Sequence, residues 1–438
     1  MLYSFAPKQA LLGLCFDGIE RLGEEYPEEL RLNPIGRELL MTWMGKAQQI
    51  RRQNMKVNTV ASKLFSMLRE DGLRCCVLKG QGNALMYPNP YSRTPGDIDV
   101  WIDASRERII EYAQKKFELE DDIRLQHLET SLDGVPVELH FFPCSMNNPI
   151  YHARLQKWFR RNADLQCSHI VGLPDGAGDI AIPTTAFNVI YQLTHLYHHF
   201  FDEGIGMRQI IDYFLVVNDF SKNVFLNTDF LKQQDNYSKI TPSLFTLKEG
   251  STSHPDPLSS GAREKTALRC SEPLRYKDGG PSKVSPNCAG WDRQDAIGDM
   301  TSATASTSTD TSATAARSSF AANSSAAIDR VQKELKELGL WKFAGGIMYI
   351  MQEVFGMPAS RLIVPPNEKY GRFVLNEVLE AGNFGRHDAR NRFGRSQLGH
   401  NLQRVYRDIR LVRYFPAEAL CEPLFRICHF FWRMKNKK

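Results

Sequence analysis

Gly96-Asp97-Ile98-Asp99-Val100-Trp101-Ile102-Asp103, GDIDVWID, alternates carboxylates with large apolar side chains. Successive side chains of a strand point to opposite faces, so Asp97 and Asp99 share one face while Ile98 and Val100 turn to a core. Two carboxylates so close repel, and each raises the other's pKa unless a cation lies between them. A divalent ion is the natural partner, because Mg2+ takes carboxylate oxygens together with phosphate oxygens and water. Asp103 shares their face but sits at the far end of the strand, where starting the next helix explains it better.

The flanking segments suit such a site. LRCCVLKG (73–80) reads as a short buried strand, and QGNALMYP (81–88) as a helical turn stopped by Pro88 and Pro90. Gly80 and Gly82 would let backbone N–H groups approach a phosphate closely, with Lys79 and Arg93 as candidate phosphate cations. Downstream, Ser105 is an N-cap for a helix over 106–117. IRLQHLETSL, Asp133-Gly134 and VPVELHFF then read as a β-hairpin. Its second strand carries Glu138 and His140 on one face. If that strand lies beside Asp97 and Asp99, Glu138 completes a three-carboxylate cluster suited to two-metal phosphoryl chemistry. D-x-D or G-x-G alone occurs often by chance; the order of the features makes the case.

This ordered set is similar to the nucleotidyltransferase superfamily of DNA polymerase β and kanamycin nucleotidyltransferase. LKGQGNALMYPNPYSRTPGDIDVWID more closely resembles an uncharacterised bacterial nucleotidyltransferase family whose members read LKG…YP…R…DiDl. VELHFF, the His-rich helix, LEAGNFGRHD and YFPAE also resemble that family. The resemblance covers about 40–220 and 327–438. It implies that Asp97 and Asp99 are ligands of two Mg2+ ions, that Glu138 is the third carboxylate, and that Gly80 and Gln81 occupy the triphosphate-binding Gly-Ser position. Arg208 would reach toward the carboxylates to hold phosphate; the alternative is a helix-face pair with Asp212 at i,i+4.

The expected fold class is α+β, a small mixed sheet with flanking helices followed by a helical domain. The expected parts are an N-terminal helical region (1–72), a nucleotidyltransferase-like catalytic domain (73–182) and a helical region (183–247). After them come a disordered insert (248–326) and a basic helical region (327–438). Helices are read over 37–70, in two pieces of 183–217 broken at 202–206, and over 329–340, 341–355 and 401–414. Residues 301–327 are nearly all Ser, Thr and Ala, which cannot bury enough apolar area to offset chain entropy.

From Arg386 onward there are 13 Lys/Arg against 4 Asp/Glu, although the whole chain nets only +5. Arg404, Arg407, Arg410 and Arg413 drift around a helix and make a broad basic surface, an opening for nucleic acid or simply a solvated face. GNFGRHDARNRFGR (382–395) reads as a connector with solvated arginines, with Phe384 and Phe393 as the alternative stacking platforms. His195, His198 and His199 lie one turn apart, and hydrogen-bonded histidines on an amphipathic helix are preferred over a metal site. The nine Cys form no C-x-x-C, so their spacing marks no zinc site and no disulfide framework, and reduced thiols suit a cytoplasmic protein. The first 30 residues make a poor signal peptide, and no run of 18 apolar residues predicts membrane insertion; the aromatic, basic end FRICHFFWRMKNKK allows at most a peripheral contact.

The function expected is Mg2+-dependent transfer of a nucleoside monophosphate from an NTP to a hydroxyl acceptor, whether small molecule, protein or RNA. Because the turn reads Gly-Gln rather than Gly-Ser, the alternative is a non-catalytic nucleotide- or partner-binding protein on the same fold.

Overall fold

The computed structural model describes residues 2–119, 124–226, 326–390 and 397–436, all within one compact unit. The expected disordered insert, 248–326, lies outside the described residues except for residue 326, which starts a helix.

The N-terminal part is helical: α1 (Leu2–Phe5), α2 (Leu12–Glu25), α3 (Pro27–Leu32) and the long α4 (Arg37–Glu70). Next come β1 (Cys75–Leu78), α5 (Gly80–Ala84), β2 (Ile98–Ile102), α6 (Arg106–Lys116), β3 (His127–Leu132) and β4 (Val135–His140). After α7 (Pro149–Ser168), the strands β5 (Ile170–Gly172) and β6 (Asp179–Ala181) form a separate hairpin. The remainder is helical: α8 (Thr185–Asp202), α9 (Met207–Leu226), α10 over 326–337, α11 (Trp341–Phe355), α12 (Glu368–Ala381), α13 (Gln397–Leu411), α14 (Pro416–Ala419) and α15 (Glu422–Asn436). The protein is thus α+β, with a small mixed sheet and a helical C-terminal region.

The main sheet runs β1-β2-β4-β3. β1 is antiparallel to β2, β2 is parallel to β4, and β3 is antiparallel to β4. Asp133 and Gly134 both take positive φ, 51° and 70°, as a two-residue Asp-Gly hairpin requires. β2 is buried along its whole length, so both of its faces need a cover. On one face Ile98, Val100 and Ile102 join Val77, Val137 and Leu139 against Val60, Leu64 and Leu68 of α4 and Ile109 of α6. On the other, Cys76, Leu78 and Trp101 join the helical body built on α7, α8, α9 and α11. Trp101 stacks on Phe187 of α8, and Phe187 stacks in turn on Trp158 of α7, with centroids 6.2 Å and 4.6 Å apart.

Cap signals set the helix starts. Ser105 accepts from Arg108 N, as expected, and Asn148 accepts from Ile150 N and Tyr151 N ahead of Pro149. Neither α7 nor α12 was expected from the sequence, although both start at an Asn cap and bury one face.

Two buried polar contacts tie the layers together. Arg93, in the segment entering β2, makes a bidentate contact with Asp212 of α9 at 2.8 Å for both bonds, and Tyr87 donates to the same carboxylate at 2.7 Å. Glu418 of α14 accepts from Asn147 N and Asn148 N at the start of α7, joining the C-terminal region to the sheet layer.

No helix among the described residues is long and apolar enough to cross a membrane. Leu424, Ile427, Phe430 and Phe431 of α15 are exposed.

Arg93→Ala leaves Asp212 as a buried charge whose guanidinium partner is gone. It is expected to cost about 3–5 kcal/mol in urea unfolding, and Arg93→Lys is expected to recover part of that loss. Burial raises Glu418 from an ordinary 4.5 to about 7, against the two backbone N–H groups. A carboxyl with a raised folded pKa adds stability that is complete below its unfolded pKa and is lost as the pH climbs through 7. Melting curves of Glu418→Gln should therefore lose the part of the decline that the parent protein shows between about pH 4.5 and 7.

Candidate active site

β2 and β4 run side by side in register, with Asp99 opposite Glu138 and Trp101 opposite His140. Across the hairpin Glu138 faces Glu129, and His140 faces His127. One face of the sheet thus carries a row of Asp99, Glu138 and Glu129 beside a row of Trp101, His140 and His127. Asp99 is only 5% exposed. A carboxylate so buried stays ionised only with bonded counter-charges.

Two cations supply them. Lys79 Nζ lies 3.0 Å from Asp99 Oδ1. His140 Nε2 lies 3.0 Å from the same oxygen and 3.1 Å from Glu138 Oε2, bridging the two acids. Burial alone would raise Asp99, but Lys79 and His140 outweigh it and hold the carboxyl well below the usual range. Burial likewise opposes charge on His140, yet the hydrogen bonds and charges of Asp99 and Glu138 raise it to about 9. Lys79 follows the same pattern: burial disfavours its charge, and Asp99, Asp97 and Glu138 together raise its pKa. Asp97 immediately precedes β2. The Asp99 charge, then burial, then Glu138 lift it to about 6, only partly offset by Lys79.

Lys79 reaches Asp99 from an unusual backbone. Its φ is 52° and ψ −133°, and Gly80 follows at φ 41°. A non-glycine residue there costs about 1–3 kcal/mol, so the surroundings must hold it. His195 of α8 does so, its Nε2 2.7 Å from Lys79 Nζ. Burial, and then Lys79 itself, push His195 well below its ordinary pKa, so it is neutral and accepts. His199 Nε2 lies 3.0 Å from the same nitrogen. The histidines one turn apart are therefore hydrogen-bonded, as preferred from the sequence, and they brace the lysine.

The other expected residues fall around this cluster. Gln81 is buried and donates to Asn58 of α4. Gly82 is a packing glycine, since a Cβ there would lie 3.0 Å from Ile182 Cγ2. Arg93 is engaged by Asp212, which it shares with Tyr87. Arg208 Nη1 donates to Thr94 O at 3.1 Å, three residues before Asp97, and its guanidinium lies 5.9 Å from the Phe384 ring centroid. Asp212 thus goes to Arg93 and Tyr87 instead of forming the helix-face pair with Arg208. Phe384 packs on His199 with centroids 5.4 Å apart, and Phe393 lies outside the described residues. Of the four drifting arginines, Arg404 pairs with Asp202, Arg407 donates to Asp202 O, and Arg410 pairs with Glu377.

The residues fit a divalent cation. Asp99 is buried, Glu138 half-buried and Asp97 exposed at the entrance of β2, and the charges of the first two raise the pKa of Asp97. Hard oxygen donors crowded by their own repulsion are what Mg2+ binds. Among the described residues, His127, Glu138 and His140 are a group of ligand atoms lying within 4.8 Å of one another; Asp97 and Asp99 fall outside it. His127 and the bracing by His195 were not expected from the sequence. The hairpin register gives a signal for His127, because the Asp-Gly turn sets it opposite His140.

A family model described as an uncharacterised nucleotidyltransferase matches residues 1–239. No curated protein matches the chain. Among solved structures, an antigenic nucleotidyltransferase-like protein from Paracoccidioides brasiliensis is similar at 16% identity. It covers 42% of this chain and 88% of its own, and a TM-score of 0.26 is too low for that likeness to bear on function. The family match takes in more than half of the chain, including β1, the Gly80 turn, β2, the hairpin and both bracing helices, and the protein belongs to this family of uncharacterised nucleotidyltransferases.

Proposed function

We propose that the protein transfers a nucleoside monophosphate from an NTP to a hydroxyl acceptor, with Mg2+ as cofactor, in the manner of the DNA polymerase β superfamily. One observation carries this reading: Asp99 and Glu138 stand side by side on parallel strands, with Asp97 just ahead of β2 and Lys79 at the turn after β1, 3.0 Å from Asp99. Asp97, Asp99 and Glu138 would hold the metal. Bound Mg2+ supplies charge stabilisation of the phosphates and activation of the acceptor hydroxyl.

The chain's own groups do the rest. Lys79 would leave Asp99 for the triphosphate, with His195 limiting where its Nζ can go. Arg208, fixed to Thr94 O beside Asp97, adds a second cation from α9. The acceptor oxygen attacks the α-phosphorus, the bond to the departing pyrophosphate breaks, and the acceptor's proton passes to the carboxylate cluster. The helical body would form the wall against which the acceptor lies. A second reading, a non-catalytic nucleotide- or partner-binding protein, is favoured by Gln81, whose side chain is spent on Asn58.

Asp99→Asn keeps the side-chain volume and an acceptor oxygen for Lys79. It is expected to cut pyrophosphate release from labelled NTP by at least about 1,000-fold with an unchanged circular dichroism spectrum. Undiminished turnover would sink the assignment. Calorimetry showing nucleotide binding indifferent to Mg2+, with no pyrophosphate from any acceptor, would select the second reading. Arg208→Ala should raise KM for the NTP by about tenfold with a smaller change in kcat, as steady-state kinetics would show.

A further inference from the structure

The hairpin holds a second constellation next to the carboxylates. His140 Nε2 lies 3.1 Å from Glu138 Oε2, and His127 Nδ1 lies 3.4 Å from the same oxygen. A tetrahedral ion with bonds of about 2.0–2.1 Å sets its donor atoms about 3.3 Å apart. The β3–β4 register therefore sets two of the three donor separations at that spacing, with all three ligand atoms within 4.8 Å of one another. It does so with little freedom, because His127 and His140 are direct cross-strand partners whose ring centroids are 5.0 Å apart.

His127 supplies an independent sign. Both of its ring nitrogens are buried and make no hydrogen bond, although each faces a carboxylate oxygen at 3.4–3.5 Å. Such unsatisfied atoms are costly and call for an explanation, and a bound ion is one of the recognised ones. Its Nε2 lies 3.5 Å from Glu129, and Arg124 pairs with that carboxylate at 2.7 Å. A carboxylate behind an imidazole is the arrangement that orients a metal-ligating histidine.

Two imidazoles with one carboxylate suit a borderline transition ion and are a poor set for Mg2+, which prefers oxygen. We propose that His127 Nδ1, Glu138 Oε2 and His140 Nε2 bind a divalent transition ion of the Zn2+ class, with an open position toward Asp99. Asp99 Oδ1, 3.0 Å from His140 Nε2, stands on that side. On binding, the Nε2 proton of His140 goes to solvent and the ring keeps a proton on Nδ1. A protonated Nδ1, with or without the ion, calls for the amide oxygen of Gln126 in place of its Nε2 at 3.3 Å, at the expense of the Gln126 bonds to Pro143 O and from Ser145 Oγ. The inference rests on the proposed function at one point only: Glu138 is shared, so the transition ion would compete with Mg2+ and inhibit NTP turnover.

The test titrates Co2+ into chelator-treated full-length protein. One equivalent should bring up visible d–d bands of a four- or five-coordinate nitrogen–oxygen site, and Zn2+ should bleach them. His127→Ala and His127→Gln should each weaken Co2+ binding by about 100-fold or more, whereas Asp99→Asn should retain it. X-ray absorption of the Zn2+-loaded parent protein should count two imidazole nitrogens, a reading that needs no variant. Absence of the bands, bands undiminished in folded His127 variants, or a first shell without imidazole would overturn the proposal. Asp99→Asn turnover tests the transferase reading separately, so either can fail alone.

Discussion

The charge of Asp99, buried in a central strand, is the constraint around which this structure is organised. A carboxylate almost closed off from water must be neutralised locally or lose its charge. Lys79 and His140 come to it from different elements, one from the strained turn after β1 and one from β4, which the chain reaches only after α6 and β3. The face of the sheet around Asp99 is thus an ionic cluster inside an otherwise apolar layer. That cluster leaves Asp97 short of positive charge, and the shortage is the property a divalent cation and a polyphosphate would exploit together.

Holding this cluster takes both layers. α4 and α6 seal the far face with aliphatic side chains, so the strands can pair only in the register that leaves the carboxylates on the near face. On the near side α8 contributes His195 beneath Lys79, and Gln192, which exchanges hydrogen bonds with Asn83 of α5 at 2.6 and 3.0 Å. α9 contributes Asp212, and through Arg93 it anchors the segment leading into β2. The turn carrying Lys79 and Gly80 is therefore gripped from below and from the side, which explains how a lysine keeps a backbone conformation better suited to glycine. Membership of the nucleotidyltransferase family agrees with this economy: the matched residues include the strands, the turn and both bracing helices.

Several of these features were legible in the chain itself. Alternation in GDIDVWID set Asp99 against Ile98 and Val100, and in β2 those two enter the aliphatic core while Asp99 meets Lys79. Asp133-Gly134 between two alternating runs set the hairpin, and with it the pairs Glu129–Glu138 and His127–His140. The breaks at 202–206 separated α8 from α9. Other features were not legible. Arg93 looks like a free cation in sequence, but its partner lies 119 residues away on α9. Arg404, Arg407, Arg410 and Arg413 look like a basic surface, yet the three on α13 meet acidic or carbonyl groups contributed by α8 and α12. β5 and β6, three residues each, are too short for a period to show.

By itself, the sequence determined what depends on neighbours in the chain: which side chains share a strand face, where a two-residue turn folds a hairpin, and where an Asn or Ser starts a helix. These follow from backbone geometry and local hydrogen bonding, which act over a few residues. The tertiary structure alone decided that β4 lies parallel to β2 with Glu138 at Asp99, that His195 meets Lys79, and which cations are already paired. Those outcomes depend on how the apolar faces of distant helices cover the sheet, and burial has no direction along the chain from which a partner can be read.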